Sequence, residues 1–390
     1  MNTRGEKSLI FLLDKLPTFS ETFVSDVIKA ISKDEEVALA SMENSVGISC
    51  FSEQLIIDKF CYPSIQKKLL LILKRPISFL STLNEYFKVK GKEEEIAYWF
   101  ALSLTSFKTV RAAKFVHVEF AHKAAYAAYI LQKILGTQYT ITVHGFDLRD
   151  PLVSTPKVLS NAKMIFCPSA FHQRKVKEIS SKSKTQISYL GVDTELFSPT
   201  KNTKENGTCK FIHVGRFHPI KNHQMLLEAF GHTAKTKGMD VSLTLVGDGE
   251  EMQKCMEYVS LQGLKDKVHF VGKKTPTDIR KLYRQHDVFV LTSKHEGLSI
   301  AATEAASCGL AIVTTDVGGM KELVHCEKNG IVISKIDSIN QLTQAFKKMA
   351  KDPVLRCAMG KSSRQLVLSH FDFQKNLQDK TRIWNEINGN

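Results

Sequence analysis

Long apolar runs are missing from this chain of 390 residues. No stretch approaches the roughly 20 consecutive apolar residues that a membrane-spanning helix requires, so the sequence predicts no transmembrane helix. The short apolar run at 8–13 is followed by Asp14 and Lys15 and not by a small-residue cleavage site. We interpret it as a first buried strand and not as a secretory signal.

Paired cysteines are missing as well. The eight cysteines form no CxxC pair, no histidine cluster lies near them, and several lie in apolar runs, as Cys167 does. This pattern is typical of buried free thiols in a reducing cytoplasm, and it disfavours disulfides and a zinc site. We therefore expect a cytoplasmic protein.

Two further motifs are incomplete or absent. The loop Val246-Gly247-Asp248-Gly249 lacks the full GxGxxG pattern, which disfavours a bound NAD. It is either a tight turn before a helix or a ligand contact, and the Gly318-Gly319 turn is similar. No DxD-type carboxylate pair for Mg²⁺ stands out. We expect neither a cofactor nor a metal ion.

The chain does show a regular alternation of short apolar runs and helix-length segments, which is typical of parallel α/β sheets. Its length favours two domains of roughly 150–200 residues each, with a cleft between two similar halves. The predicted strands are 8–13, 36–40, 115–118, 139–143, 163–167 and 186–189, then 210–214, 241–246, 268–271, 287–291, 311–313 and 330–333. The predicted helices include 121–135, 169–180, 221–237 and 249–263.

A polar, unpatterned stretch around 198–208 marks the predicted domain boundary. We therefore expect an N-terminal domain at 1–198 and a C-terminal domain at 199–370. Residues 371–390 have the pattern of an amphipathic helix, which is a candidate for packing back on the N-terminal domain.

The net charge of +14 suits phosphate-bearing substrates or an anionic membrane surface. Residues 59–92 are particularly basic, with apolar residues interleaved. Two interpretations remain open for this segment. It is either a basic amphipathic helix that lies on an anionic bilayer, or a long helix that covers the N-terminal sheet and exposes its lysines.

The segment HEGLSIAATE at 295–304 directly follows a predicted strand. Ser299 suits the N-cap of a short helix, so backbone N–H groups at this loop could bind a phosphate. Gly297 permits close approach of a ligand. Glu296 and Glu304 could then bind sugar and ribose hydroxyls. The alternative is two surface glutamates beside a core helix.

Two more strand ends carry polar residues. Arg216 and Lys221 follow the strand that ends at Gly215, and together they could neutralise a pyrophosphate. Ligands of open α/β sheets bind at this edge. The alternative is an ordinary helix cap with solvated charges.

His144, after a strand of the N-terminal half, is well placed to face a cleft, although a lone histidine is more often structural.

Together these motifs resemble the family 4 retaining glycosyltransferases of the GT-B fold. The matching segments are SYLGVDTELFSP, HVGRFHPIKN, LVGDGEEM, VHFVG, HEGLSIAATEA and TTDVGGMKELV. The entry Ser20-Glu21-Thr22-Phe23 is similar to that of bacterial exopolysaccharide and lipopolysaccharide (colanic-acid-type) members. The resemblance implies two Rossmann-like doubly wound domains that face each other across a cleft.

The resemblance also implies roles for matching positions. The implied donor-binding residues are Gly215, Arg216, Lys221, Val271, Gly272, Glu296, Gly297, Leu298, Ser299 and Glu304. Arg216 and Lys221 would bind the pyrophosphate, and Val271 and Gly272 would lie near the base. Glu296, His144, Arg216 and Lys221 form the implied catalytic set, in which Glu296 and His144 would contact the transferred sugar.

The sequence departs from the family at two places. Thr18–Thr22 replaces the usual glycine-rich loop after the first strand, which leaves acceptor and phosphate contacts there in doubt. The family's His-x-His appears as His117-Val118-Glu119, and we assign His117 and Glu119 no catalytic role.

The expected reaction is hexosyl transfer, with retention of configuration, from a nucleotide sugar such as a UDP-sugar. The expected acceptor is a lipid-linked saccharide at the inner face of the membrane, and the expected pathway is surface polysaccharide synthesis. One alternative is another GT-B activity, such as an epimerase or a phosphorylase. Others are a transferase without turnover and a non-catalytic basic protein that binds membrane or nucleic acid. No RNA-binding motif is visible, so nucleic acid is not an expected partner.

Overall fold

A computed structural model describes residues 9–15, 22–33, 37–43, 56–59, 64–89, 91–113, 115–200 and 207–388. The chain divides into two compact units. Unit 1 comprises Met1–Ser188 and Asp379–Asn390, and unit 2 comprises Tyr189–Gln378. These divisions fall at different residues from the boundaries predicted at 198 and 370.

The described part of unit 1 contains a parallel sheet of seven strands in the order β3-β2-β1-β4-β5-β6-β7. The strands are β1 (Leu9–Lys15), β2 (Val37–Glu43), β3 (Ile56–Lys59), β4 (Phe115–Glu119), β5 (Gln138–Thr142), β6 (Met164–Cys167) and β7 (Thr185–Ile187). The central strands are almost entirely buried, because helices cover both faces of a parallel sheet.

Helices precede or follow each of these strands. They are α1 (Thr22–Ile31), α2 (Ile65–Lys74), α3 (Pro76–Tyr86), α4 (Lys92–Leu104), α5 (Lys108–Ala112), α6 (Lys123–Leu135), α7 (Phe146–Arg149), α8 (Thr155–Asn161) and α9 (Ala170–Ile179). The alanine-rich helix α6 is buried along most of its length and packs against β1, β4 and β5.

Unit 2 contains a parallel sheet whose described strands run in the order β10-β9-β8-β11-β12-β13. They are β8 (Cys209–Val214), β9 (Val241–Val246), β10 (Val268–Phe270), β11 (Val288–Leu291), β12 (Ala311–Thr315) and β13 (Gly330–Ile333). The direction of the order reverses between β8 and β11. This reversal is the switch point at which open α/β sheets bind ligands, beyond the carboxyl ends of the strands.

The helices of unit 2 alternate with these strands. They are α10 (His223–Ala234), α11 (Met252–Leu261), α12 (Pro276–Gln285), α13 (Ile300–Ser307), α14 (Met320–Leu323), α15 (Ile339–Lys351) and α16 (Pro353–His370), and α17 (Phe373–Asn388) follows. Both sheets have the doubly wound order of a Rossmann-like domain. The predicted α/β class with two such domains is confirmed.

The strand predictions are confirmed within a few residues, but two predictions in unit 1 need correction. The sequence analysis missed β3, whose apolar run is short. The single long helix expected within 59–92 is wrong. Two helices, α2 and α3, meet at Arg75. Pro76 lacks the N–H that would continue α2, but it suits the first turn of a new helix.

The C-terminal helix α17 contributes to both units. Its residues from Asp379 belong to unit 1, where Lys380 and Trp384 are buried. These two residues are four positions apart and therefore share one helix face. The indole of Trp384 donates a hydrogen bond to Thr140 Oγ1 on β5 (3.2 Å). Among the described residues, no helix has both the length and the apolar character needed to cross a bilayer.

The cysteine prediction is partly corrected. Cys167, Cys209, Cys255 and Cys308 are buried free thiols, whereas Cys326 and Cys357 are free but exposed. Cys50 and Cys61 lie outside the described residues.

Candidate functional site

The loops after β8 and β11 are hydrogen-bonded to each other at the switch point of unit 2. The backbone N–H of Lys294 donates to Ile220 O (2.8 Å). The hydroxyl of Thr292 donates to Lys221 O (2.9 Å). Because β8 and β11 are neighbours in the sheet, these bonds bring two predicted site segments, 215–222 and 295–304, side by side.

Lys221 and Glu296 form the central contact between these loops. Lys221 Nζ lies 2.5 Å from Glu296 Oε1, and both side chains are largely shielded from solvent. Ser293 Oγ donates a second hydrogen bond to the same carboxylate oxygen (2.7 Å). The Glu296 carboxylate is therefore held in place through Oε1, and no residue in the described ranges forms a hydrogen bond with its Oε2.

The loop that carries Glu296 packs directly against the Gly318-Gly319 turn. The N–H of Gly319 donates to Gly297 O (2.6 Å). Gly318 has φ +55°, and a Cβ atom there would lie 1.7 Å from Glu296 O. Only glycine fits this close approach, so the turn determines where the Glu296 loop lies.

Helix α13 begins directly after this loop. Ser299 is its N-cap as predicted, and its hydroxyl accepts a hydrogen bond from Ala302 N (3.3 Å). Glu304 lies in the second turn of α13, where the Tyr283 hydroxyl donates to Oε2 (3.4 Å). Burial, followed by the Glu304 charge, raises the pKa of Tyr283 well above its usual value. The sequence analysis missed Tyr283, which lies on α12.

Arg216 stands apart from the Lys221–Glu296 pair. It is exposed at the end of β8, and no described carboxylate forms an ion pair with it. Its guanidinium is therefore available to an anion.

The remaining predicted donor residues lie along the same sheet edge. Gly215 N donates to Val246 O, and Gly247 N donates to Gly272 O (3.0 Å each). A Cβ atom on Gly247 would lie 2.0 Å from Gly215 O. Val271 N donates to Leu245 O (3.1 Å). Gly215 follows β8, and Val271 and Gly272 follow β10, so only β9 and its Gly247 turn lie between them.

Two buried histidines lie beside this edge, and the sequence analysis missed both. The His223 ring stacks on Phe217, with centroids 4.3 Å apart, and meets His213 edge-on at 4.8 Å. Burial lowers the pKa of His213 to about 4 and that of His223 to about 2. His213 Nδ1 donates to Val290 O (2.9 Å), but neither nitrogen of His223 has a hydrogen-bond partner in the described structure.

His144, the predicted catalytic residue of unit 1, is bound to a buried carboxylate. Its Nε2 lies 2.6 Å from Glu119 Oε2. Glu119 also lies 3.2 Å from His117 Nε2 and 3.6 Å from Lys380 Nζ. Glu119 therefore binds His144, and Lys380 in turn pairs with Glu119; the sequence analysis gave neither Glu119 nor Lys380 a role. Sequence spacing offers no signal for these contacts.

Other predictions remain open. The residues that replace the glycine-rich loop lie outside the described part of the chain up to position 21, and Thr22 begins α1. Within the described ranges, no three His, Cys, Asp or Glu side chains are grouped as metal ligands. The expected lack of a cofactor or metal, like the roles of individual site residues, stays a prediction.

Comparison with known proteins identifies the C-terminal region. Residues 195–366 match the family described as "Glycosyl transferases group 1". The chain is 26% identical over 289 residues to N-acetyl-alpha-D-glucosaminyl L-malate synthase of Bacillus anthracis, covering 70% of this chain and 74% of the relative. It is 28% identical over 256 residues to an Escherichia coli UDP-Gal:alpha-D-GlcNAc-diphosphoundecaprenol alpha-1,3-galactosyltransferase, covering 60% and 65%.

A solved structure supports the fold of the whole chain. The structure of HepE from Anabaena in complex with UDP superposes with a TM-score of 0.78 at 16% identity, covering 97% of this chain and 100% of HepE. The chain therefore has a GT-B fold, and its residues 195–366 match the model of the group 1 glycosyl transferases.

Proposed function

We propose that this protein is a retaining glycosyltransferase of the family 4 type, which transfers a hexosyl group from a nucleoside diphosphate sugar to a saccharide. The observation that carries the proposal is the Lys221–Glu296 ion pair at the switch point. Exposed Arg216 lies in the same loop as Lys221, and α13 begins just after the loop of Glu296. This arrangement offers positive charge for a diphosphate and a fixed carboxylate for sugar hydroxyls.

Each group has a distinct task in this reaction. Breaking the bond from the anomeric carbon leaves negative charge on the diphosphate, which Arg216, Lys221 and the N–H groups at Gly297–Ser299 stabilise. Glu296 accepts hydrogen bonds from the donor sugar, and Glu304 does so from the ribose. The acceptor attacks from the face that the diphosphate leaves, and a diphosphate oxygen takes its proton. Configuration is thereby retained without the paired carboxylates of a glycosidase.

UDP is the nucleotide that we propose for the donor. The Anabaena structure contains UDP, and the Escherichia coli relative is named for UDP-galactose. A thermal-shift comparison of UDP-, GDP- and ADP-sugars tests this, because a ligand that binds only the folded state raises the melting temperature. A UDP-sugar is expected to give the largest rise, and a flat response to all three would contradict a donor site.

The proposed acceptor is lipid-linked and is reached at the inner face of the cell membrane, in surface polysaccharide synthesis. Helices α2 and α3 support this. Leu71, Ile72 and Phe79 pack against the core of unit 1, whereas other large apolar side chains on the same helices are exposed. These are Ile65, Leu69, Leu70, Leu73, Ile77 and Leu80.

The charge beside these apolar side chains suits an anionic bilayer. Lys67 and Lys74 are exposed on α2, and Lys88 is exposed just after α3. Lys68 instead pairs with Glu95 on α4 (2.6 Å) and so fixes α2 to the core. Helices α2 and α3 thus expose apolar side chains together with lysines, which is the composition of helices that bind the surface of an anionic bilayer.

A further inference from the structure

The carboxylate of Glu119 contacts three other titratable groups inside unit 1, which are Lys380, His117 and His144. Glu119 ends β4 with 2% of its side chain exposed, and Lys380 reaches it from α17 with 6% exposed. Lys380 Nζ also donates to Thr142 Oγ1 (2.7 Å). The ammonium lies over the rings of Phe166 and Trp384, at 5.1 and 5.0 Å from their centroids. Charged groups are rarely buried this deeply unless they are paired.

The balance of charges in this cluster leaves Glu119 ionised. Burial alone would raise the pKa of Glu119, but the Lys380 charge and hydrogen bonds from His117 and His144 hold it well below its usual range. Burial and the Lys380 charge lower the pKa of His117 to about 4, so His117 is neutral at neutral pH. Lys380 therefore supplies the positive charge that compensates Glu119.

An ionised Glu119 dictates which nitrogen of His144 carries hydrogen. A carboxylate only accepts hydrogen bonds, so His144 Nε2, 2.6 Å away, must be the donor. The ring is held between Phe23 and Phe120, with centroids at 4.9 and 4.4 Å. The backbone N–H of His144 donates to Asp147 (3.0 Å). Among the described residues, none of the hydrogen bonds to this ring uses Nδ1.

We propose that Glu119 and Lys380 are positioning residues for sugar transfer. Lys380 keeps Glu119 ionised in the interior, and Glu119 fixes the tautomer and orientation of His144, which leaves Nδ1 for a hydroxyl of the transferred sugar. This inference rests on the proposed function, because it needs His144 to meet the sugar.

Stability alone does not require this pair. Replacing a buried ion pair with apolar side chains of similar volume often leaves stability unchanged or increases it, whereas removing one partner is costly. The double variant Glu119→Leu/Lys380→Met therefore separates positioning from folding. Glu119→Gln/Lys380→Met is its matched control, because the glutamine carbonyl can still accept the Nε2 hydrogen of His144.

The experiment measures melting temperature, nucleotide affinity and kcat for the three proteins. The Leu/Met variant should keep its melting temperature and its affinity for the nucleotide, while kcat falls by about tenfold or more. The Gln/Met variant should recover most of that loss. A Leu/Met variant that folds and turns over at the wild-type rate would overturn the proposal.

A second measurement depends neither on activity nor on a change to Glu119 or Lys380. Ring ¹⁵N shifts of His144, assigned by comparison with His144→Gln, should show hydrogen on Nε2 in the wild-type protein. A His144 that is protonated on Nδ1 alone would refute the role of Glu119. Absence of transfer by the wild-type protein with every donor would instead contradict the proposed function, and the ring shifts would still decide the tautomer.

Discussion

Lys221 and Glu296 lie 2.5 Å apart although 75 positions separate them in the chain. Each follows one of the two strands that flank the switch point of the unit 2 sheet. Their contact fixes both charged side chains at the edge where α/β sheets bind ligands.

Loss of the Glu296 charge is expected to reduce transfer without unfolding the protein. Glu296→Gln keeps the shape of the side chain but weakens its bonds to Lys221 and to sugar hydroxyls, so kcat/KM should fall by about 10²-fold. Steady-state kinetics measure this. Glu327→Gln is the matched control, because Glu327 also lies 2.5 Å from a lysine, Lys348, but on the open surface. Equal kcat/KM for Glu296→Gln and Glu327→Gln would show that the Glu296 charge has no role in transfer.

Gly318→Ala is expected to displace the Glu296 loop. The new Cβ would lie 1.7 Å from Glu296 O, at a φ of +55°, so the backbone of one segment must move. Nucleotide-sugar affinity, measured by calorimetry, should fall by about tenfold or more.

Gly238→Ala is the control for backbone strain at that position. Gly238 has φ +82°, but a Cβ there meets no atom within 4 Å. The positive φ alone should cost each variant about 1 kcal/mol of stability. Gly318→Ala should lose more than this because of its backbone clash, and only Gly318→Ala should lose donor affinity. Normal donor binding by Gly318→Ala would show that this turn does not hold the loop.

Unit 2 is expected to lose stability in mild acid because His213 and His223 are buried without charge. Their pKa values are about 4 and about 2 in the folded protein, against 6.5 for an ordinary histidine. The unfolded chain therefore binds more protons below about pH 6.5, so stability is full above that pH and falls as the pH decreases. The linkage predicts a loss of about 2 kcal/mol per histidine at pH 5.

His223→Phe should reduce this acid sensitivity. Phenylalanine preserves the stacking on Phe217 and cannot take up a proton. Denaturant unfolding at pH 7 and pH 5 measures the effect. His232→Phe, on the exposed side of the same helix, is the control and should leave the pH dependence as it is. An unchanged pH dependence in His223→Phe would contradict the burial argument.

The exposed apolar side chains of α2 and α3 are expected to bind anionic membranes. Leu73→Asp/Ile77→Asp should abolish co-sedimentation with vesicles that contain phosphatidylglycerol, because both side chains are more than three-quarters exposed and would carry negative charge. Leu261→Asp alters an equally exposed leucine in unit 2 and should bind as the wild type does. Identical sedimentation of the two variants would show that α2 and α3 do not form the membrane face.

Local patterns in the sequence predicted the elements whose signal is local. Apolar runs gave the positions of the central strands, because a strand that is buried on both faces consists almost entirely of apolar residues. Ser299 was recognisable as an N-cap because its hydrogen bond is to Ala302 in the same turn. Pro76 could have predicted the break between α2 and α3, since proline cannot continue a helix.

Contacts between distant segments were not predictable in the same way. Glu119 and Lys380 meet because α17 returns to unit 1, and neither residue has a neighbour in sequence that signals the pair. His213 and His223 have polar side chains, and only the packing around them shows that they are buried. Tyr283 reaches Glu304 because α12 lies against α13. Such contacts depend on the packing of helices and strands.

The central claim is that Arg216 and Lys221 bind a diphosphate, and calorimetric titration with UDP and UMP tests it most directly. The wild-type protein should bind UDP at least about tenfold more tightly than UMP, because only UDP offers the second phosphate to both cations. Arg216→Ala, a change at an exposed position, should remove most of that preference while leaving UMP affinity unchanged. Equal affinity for UDP and UMP in the wild type, or an undiminished preference for UDP in Arg216→Ala, would contradict the account.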